Sequence, residues 1–317
     1  MLFKCLVSLL IVLCSRLAVS QSPQHRPATD APADGSKQVS AAIRDRWFTT
    51  SDNVKIHFRS AGEMKSAPAI VFIPGWTLTA SLWDQELRAF SAIRLAMAVD
   101  SRSQGESTMA LSGNTPERRA TDLHELITNL HIPRFVLVGW SQGAQDVAAY
   151  IQQFGTDSIA GVVFVDSPVS YGPAEVEVHK EFSKIILSRL ALYDSHPQEY
   201  CEGLVRSIFR KQHPELNMQH VIDESKKTPT SIGIAMLVSD IFGVDRRPAL
   251  KKIDRPTLVI ASADSPLLDV QKEMAEAIPG ARWVTVQDAG HALFIDQPEK
   301  FDAELTQLLQ IVAQSAH

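Results

Sequence analysis

The stretch VGWSQGAQ, Val138–Gln145, decides how this chain is read. Ser141 stands between Gly139 and Gly143, each two residues away. An apolar β-forming run, FVLV (Phe135–Val138), leads into it, and AQDVAAYI begins a helical pattern directly behind it. Where a strand turns sharply into a helix, the residues two before and two after the turning residue crowd each other. Glycine at both places removes the side chains that would collide. The turning residue is then held in a strained conformation with its side chain pushed into the open. Ser141 therefore reads as the nucleophile of a G-x-S-x-G elbow.

Working outward, the chain supplies the sheet that such an elbow needs. Trp47–Thr50 and Val54–Arg59 read as two strands joined by the polar turn Ser51-Asp52-Asn53. Continuous apolar runs follow: Ala69–Ile73, Leu95–Val99, Phe135–Val138, Gly161–Val165, Thr257–Ala261 and Trp283–Val286. Continuous apolarity marks strands buried on both faces, as in a parallel sheet. Between them lie helical stripes: Leu123, Leu126, Ile127 and Leu130; Val147, Ile151 and Phe154; Phe301, Leu305, Leu308 and Val312. The alternation predicts a mostly parallel, doubly wound α/β sheet. From Gly172 to Arg255 no strand-like run occurs, and Pro197, Pro214, Pro229 and Pro248 punctuate helical stretches. That length exceeds an ordinary crossover, so residues 172–255 read as a helical cap inserted in a core of 46–171 and 256–317.

A serine hydroxyl needs a base. His291 follows Gly290 in the loop between the last strand run and the last helix, where it can return over the elbow. The imidazole in turn needs an anion to fix its tautomer. Two aspartates end strand runs, Asp166 after GVVFV and Asp264 after TLVIASA. Asp166 precedes Ser167-Pro168, a context in which a carboxylate often organises a turn. Asp264 falls between serine and histidine, giving the order Ser141, Asp264, His291. The sequence reading favours Asp264 and keeps Asp166 as its competitor.

The 317 residues are 45% hydrophobic and 21% charged, an ordinary globular composition, and the net charge of −5 gives no reason to expect nucleic acid. The start MLFKCLVSLLIVLCSRLAVSQS has a basic residue, Lys4, an apolar run, and a small-x-small site at Ala18-Val19-Ser20. It reads as a cleaved signal peptide over residues 1–20, too short for stable membrane insertion, and places the mature protein in a secreted or periplasmic compartment. Residues 21–45, rich in Pro, Ala, Asp and Ser at first, read as a disordered linker. Of the three cysteines, Cys5 and Cys14 lie in the leader, so Cys201 is left without an intrachain partner. No metal-ligand spacing, dinucleotide fingerprint or phosphate loop occurs, so no cofactor and no metal are expected.

From about Trp47 onward the chain resembles the α/β-hydrolase fold family. Four motifs carry the resemblance: FIPGW (Phe72–Trp76), VDSRSQGES (Val99–Ser107), GWSQG (Gly139–Gly143) and DAGHALFIDQPEKF (Asp288–Phe301). It implies a lid between the sixth and seventh strands and acyl-transfer hydrolysis without a cofactor. It also implies an oxyanion hole from the backbone N–H groups of Gln142, after the nucleophile, and Trp76, after Gly75. This chain departs from the pattern with Pro74 where His often precedes that glycine, and with Ala263 before the expected acid. Asp100 and Arg102 read as a stabilising polar pair, and Trp76, Trp140 and Leu78 as an apolar acyl pocket, with core packing as the alternative for Trp140. The expected substrate is a small, largely apolar carboxylic ester or lactone. Perhydrolase, haloperoxidase-like or C–C bond chemistry on the same triad, and a non-catalytic ligand-binding role, are the alternatives.

Overall fold

The computed structural model describes residues 41–170 and 180–315. Eight strands form one sheet: β1 (Arg44–Thr49), β2 (Lys55–Ala61), β3 (Ala69–Ile73), β4 (Ala96–Val99), β5 (Phe135–Trp140), β6 (Ile159–Val165), β7 (Thr257–Ser262) and β8 (Arg282–Val286). Their order is β1-β2-β4-β3-β5-β6-β7-β8. β2 pairs antiparallel with both β1 and β4, and every other neighbouring pair is parallel. Each expected strand run is found, and β5 extends two residues further, to Trp140. β1 begins earlier than expected: Arg44 and Asp45, read from sequence as linker, pair with Ser60 and Arg59 of β2. The expected leader, and the linker up to residue 40, lie outside the described residues.

Every residue of β3 to β7 is buried, because helices cover both faces of the sheet. Alternate residues serve opposite layers. Ile70 and Phe72 of β3 join Trp83, Trp140, Phe294, Phe301 and Leu305 on one side. Val71 and Ile73 join Leu123, Leu126, Val147 and Ile151 on the other. The first layer holds α1 (Asp84–Phe90) and α10 (Pro298–Gln314); the second holds α2 (Pro116–Asn129) and α3 (Gln142–Phe154). The start of α2 shows why it forms there. Thr115 accepts a hydrogen bond from the Arg118 N–H at 3.2 Å, and Pro116 sits at the first turn, where its missing N–H costs nothing.

Among the described residues, four α-helices lie between β6 and β7: α4 (Lys180–Ser195), α5 (Pro197–Ser207), α6 (Met218–Ser225) and α7 (Thr230–Phe242). They bury a small core of their own, Tyr193, Cys201, Ile232 and Met236, which closes around Trp76 from the sheet domain. α8 (Leu268–Glu276) follows β7, and the one-turn α9 (Leu293–Asp296) precedes α10. No helix among the described residues is long and apolar enough to cross a membrane.

Candidate active site

Ser141 sits between β5, near the middle of the sheet, and the first residue of α3, with φ 55° and ψ −120°. This positive φ is a strained conformation for a residue with a side chain. The neighbouring glycines make it possible. A Cβ on Gly139 would lie 2.4 Å from the Gly143 carbonyl oxygen, and one on Gly143 would lie 2.4 Å from that of Ile73. The Ser141 N–H donates to Val165 O at 3.1 Å, which ties the elbow to the end of β6.

Asp166 is the next residue of that neighbouring strand. It is buried, with φ 46°, and its N–H donates to Ile260 O at 2.9 Å. Its Oδ2 lies 2.7 Å from His291 Nδ1, while Oδ1 accepts from the Ser262 N–H at 3.1 Å and from Gln271 Nε2 at 3.3 Å. The carboxylate is thereby held at both oxygens, one of them facing the imidazole. Asp264, favoured from the sequence as partner of His291, is placed differently. It lies two residues past the end of β7, its side chain is 61% exposed, and its nearest ion-pair partner is Arg210 at 3.5 Å. The acid that meets His291 is therefore Asp166. The strand end beside β5 delivers its first residue straight to the imidazole, whereas the turn after β7 carries Asp264 outward.

The His291 loop is fixed from three sides. Trp140 Nε1 donates to the His291 carbonyl oxygen at 2.9 Å, and the two rings stand 5.4 Å apart. Ser262 Oγ donates to Ala289 O at 2.6 Å. Asp296, fully buried, accepts from the Gly290 N–H at 2.7 Å and the Arg210 N–H at 2.8 Å, and its other oxygen meets His213 Nε2 at 2.7 Å. The sequence reading missed Asp296 and His213; their only signal was a charged residue inside the apolar turn ALFID.

Gln142 opens α3 directly after Ser141, and Trp76 lies in the loop past β3. The first N–H groups of a helix have no intrahelical acceptor, which leaves that of Gln142 available to an anion. Gly75 brings the β3 loop close: a Cβ there would stand 3.1 Å from Ser141 Cβ and 3.4 Å from its Oγ. Gln104, fully buried, holds this loop. Its Nε2 donates to Gly75 O at 3.1 Å and Leu78 O at 2.9 Å, and its Oε1 accepts from the Thr77 N–H at 3.1 Å.

Two other expectations change. Asp100 and Arg102 do not pair with each other. Asp100 accepts from the Ala80 N–H at 2.7 Å and meets His57 Nδ1 at 2.7 Å, while Arg102 binds Asp122 and Asp52. Trp140 and Leu78 are part of the buried core: Trp140, for which core packing was the alternative reading, is fully buried and packs edge-on against Trp83 and Phe294. Trp76 faces the cap, its Nε1 donating to Gly233 O at 2.9 Å and its ring edge-on to Tyr193.

Sheet order, serine elbow and carboxylate–imidazole pair together define the α/β-hydrolase class of fold. The chain belongs to the alpha/beta hydrolase family, whose model matches residues 70–304. Among curated relatives it is 26% identical over 282 residues to a non-heme chloroperoxidase of Kitasatospora aureofaciens, covering 82% of this chain and 98% of the relative. It is 24% identical over 271 residues to a bifunctional esterase/perhydrolase of Acinetobacter calcoaceticus, covering 82% and 97%. Among solved structures, a bromoperoxidase from Bacillus anthracis superposes with a TM-score of 0.74 at 22% identity, over 84% of this chain and 100% of the other. An esterase from Exiguobacterium antarcticum superposes with a TM-score of 0.72 at 20% identity, over 83% and 98%. These structural likenesses speak to the fold.

Proposed function

We propose that this protein is an exported serine hydrolase that cleaves a carboxylic ester or lactone of a small, largely apolar substrate through an acyl-enzyme on Ser141. The observation that carries the reading is the buried Asp166 carboxylate 2.7 Å from His291 Nδ1, one strand from a serine held at positive φ. With Asp166 accepting at Nδ1, Nε2 of His291 is the basic nitrogen. It takes the Ser141 proton as the hydroxyl attacks the acyl carbon. The oxyanion forms against the N–H groups of Gln142 and Trp76. Collapse expels the alcohol, which leaves with the proton from His291. Water then attacks the acyl-enzyme by the same route and releases the acid. Trp76, which follows the Gly75 that approaches Ser141 and packs among apolar cap residues, supports an apolar substrate. Export rests on the pattern of residues 1–20.

The relatives named chloroperoxidase and esterase/perhydrolase favour a second use of the same site, in which hydrogen peroxide replaces water and a peracid is released. The test is a panel of p-nitrophenyl esters of graded acyl length, lactones, and carboxylate with peroxide. Ester or lactone turnover that disappears in a folded Ser141→Ala variant is the expected result. A wild-type protein inert toward all of them, or a Ser141→Ala variant that keeps its rate, would overturn the reading.

A further inference from the structure

Both residues expected to donate to the oxyanion are held by one cap helix. Trp76 Nε1 donates to Gly233 O at 2.9 Å, and Gln142 Nε2 donates to Asp240 Oδ2 at 2.5 Å. Gly233 and Asp240 lie on α7, seven residues or about two turns apart, so the two contacts fall on one side of the helix about 10 Å from each other. The sheet-domain loop after β3 and the first turn of α3 have no covalent reason to keep their spacing. α7 spans them.

The Asp240 contact belongs to a closed ring. Asp240 Oδ1 accepts from Arg119 Nη2 at 2.9 Å. The Arg119 Nε donates in turn to both oxygens of Asp146 at 2.9 and 3.0 Å. Asp146 lies on α3, one turn after Gln142, which closes the ring through the helix backbone. All four residues are at most 3% exposed, with Gln142 and Arg119 at 3% and Asp146 and Asp240 at 2%. Charge-assisted hydrogen bonds of this kind are strong, and breaking one inside a buried network leaves an uncompensated charge. The amide orientation of Gln142 reflects the same constraint: Nε2 faces the carboxylate, while Oε1 is buried with no hydrogen-bond partner among the described residues.

We propose that α7 is a splint for the oxyanion hole, and that Asp240 is a positioning residue which acts on the reaction through Gln142. The cap then has a role in rate as well as in substrate choice: the Gln142 N–H is aimed by a side chain more than ninety residues away. This proposal rests on the serine-hydrolase reading, in which that N–H meets the oxyanion.

The test is a double-mutant cycle on the whole protein, with Asp240→Leu, Gln142→Met and the double variant. Leucine accepts no hydrogen bond, so the Gln142 contact is lost together with the Arg119 one. Gln142→Met removes the Gln142 contact alone and leaves the Arg119–Asp240 pair intact, so it probes that contact if Asp240→Leu folds poorly. Thermal melting identifies the folded variants. A misaimed oxyanion donor costs turnover rather than ground-state binding, so each single variant is expected to lose about tenfold in kcat with KM within about twofold. Because both changes break one contact, the double variant is expected to lose about tenfold as well, not about a hundredfold. Unchanged kcat in a folded single variant, losses that multiply, or losses confined to KM would overturn the proposal. Labelling of wild-type Ser141 by a fluorophosphonate separates the two levels. If Ser141 labels and the losses multiply, only the splint falls; if Ser141 does not label, the serine-hydrolase reading falls and the splint with it.

Discussion

At the scale of the residue, an aspartate serves an imidazole only when its carboxylate is held still and turned toward it. Asp166 meets both conditions: Oδ1 is occupied by the Ser262 N–H and Gln271, which leaves Oδ2 for His291. Asp264 meets neither, being mostly exposed beside Arg210. Asp166→Asn keeps the shape but favours the wrong tautomer, so kcat is expected to fall by about 10⁴ while the fold survives. Asp264→Asn is expected to keep near-normal turnover; steady-state kinetics on both variants, with melting curves, check this. Ser141 and His291 were legible in the sequence because glycines two residues to either side, and a glycine before a loop histidine, are local signals. The acid was not. Both aspartates end strands, and the choice depends on the sheet order β5-β6-β7 and on the direction each chain takes after its strand, which no short motif encodes.

Elements carry constraints of their own. The elbow works because α3 starts against the end of β3, close enough that only glycine fits at 143. A Gly143→Ala variant must push the Ile73 carbonyl away, so it is expected to lose both stability and activity, read by melting temperature and kcat/KM together. α1 contains a different kind of constraint. Glu86 is 1% exposed and both its carboxyl oxygens are buried without a hydrogen-bond partner among the described residues. Burial, and then the charge of Asp302 on α10, push its carboxyl well above the usual carboxylate range. Burial pushes Asp302 up to about 6, with Glu299 adding to it. A carboxyl with a raised folded-state pKa favours the fold while protonated and loses that contribution as pH rises through the folded value. Glu86→Gln is therefore expected to raise the melting temperature at pH 8, with the difference shrinking toward pH 4. An equal shift at both pH values would show that ionisation is not its cause. The sequence pattern did not show this feature, because nothing local to Glu86 marks its carboxyl as buried near Asp302.

For the whole molecule, the sheet and cap form one working unit joined by polar contacts. Thr228 Oγ1 donates to Ser103 O at 2.8 Å, Thr77 Oγ1 and Ser225 Oγ lie 2.9 Å apart, and His213 and the Arg210 N–H bind Asp296 beside the His291 loop. The strand runs, the helical stripes and the cap's place between β6 and β7 were legible because hydrophobic periodicity is a property of the chain itself. The cap's attachments were not legible, since Gln142, Arg119 and Asp240 meet only after folding. Cap residues around Trp76 are expected to set acyl preference. Substituting Ile232 or Met236 with alanine should re-rank kcat/KM among esters of different acyl length, by about 1–3 kcal/mol per methylene accommodated. A ranking that neither change alters would make the insertion structural only.

The account stands on covalent chemistry at one serine. The most direct measurement is mass spectrometry of the purified protein after reaction with a fluorophosphonate or a slowly released p-nitrophenyl ester, with the adduct mapped to its peptide. The account predicts a single adduct on Ser141, formed rapidly in wild type, slowed sharply in Asp166→Asn and absent in Ser141→Ala. An adduct on any other residue, or labelling that persists at the wild-type rate without Ser141, would contradict it.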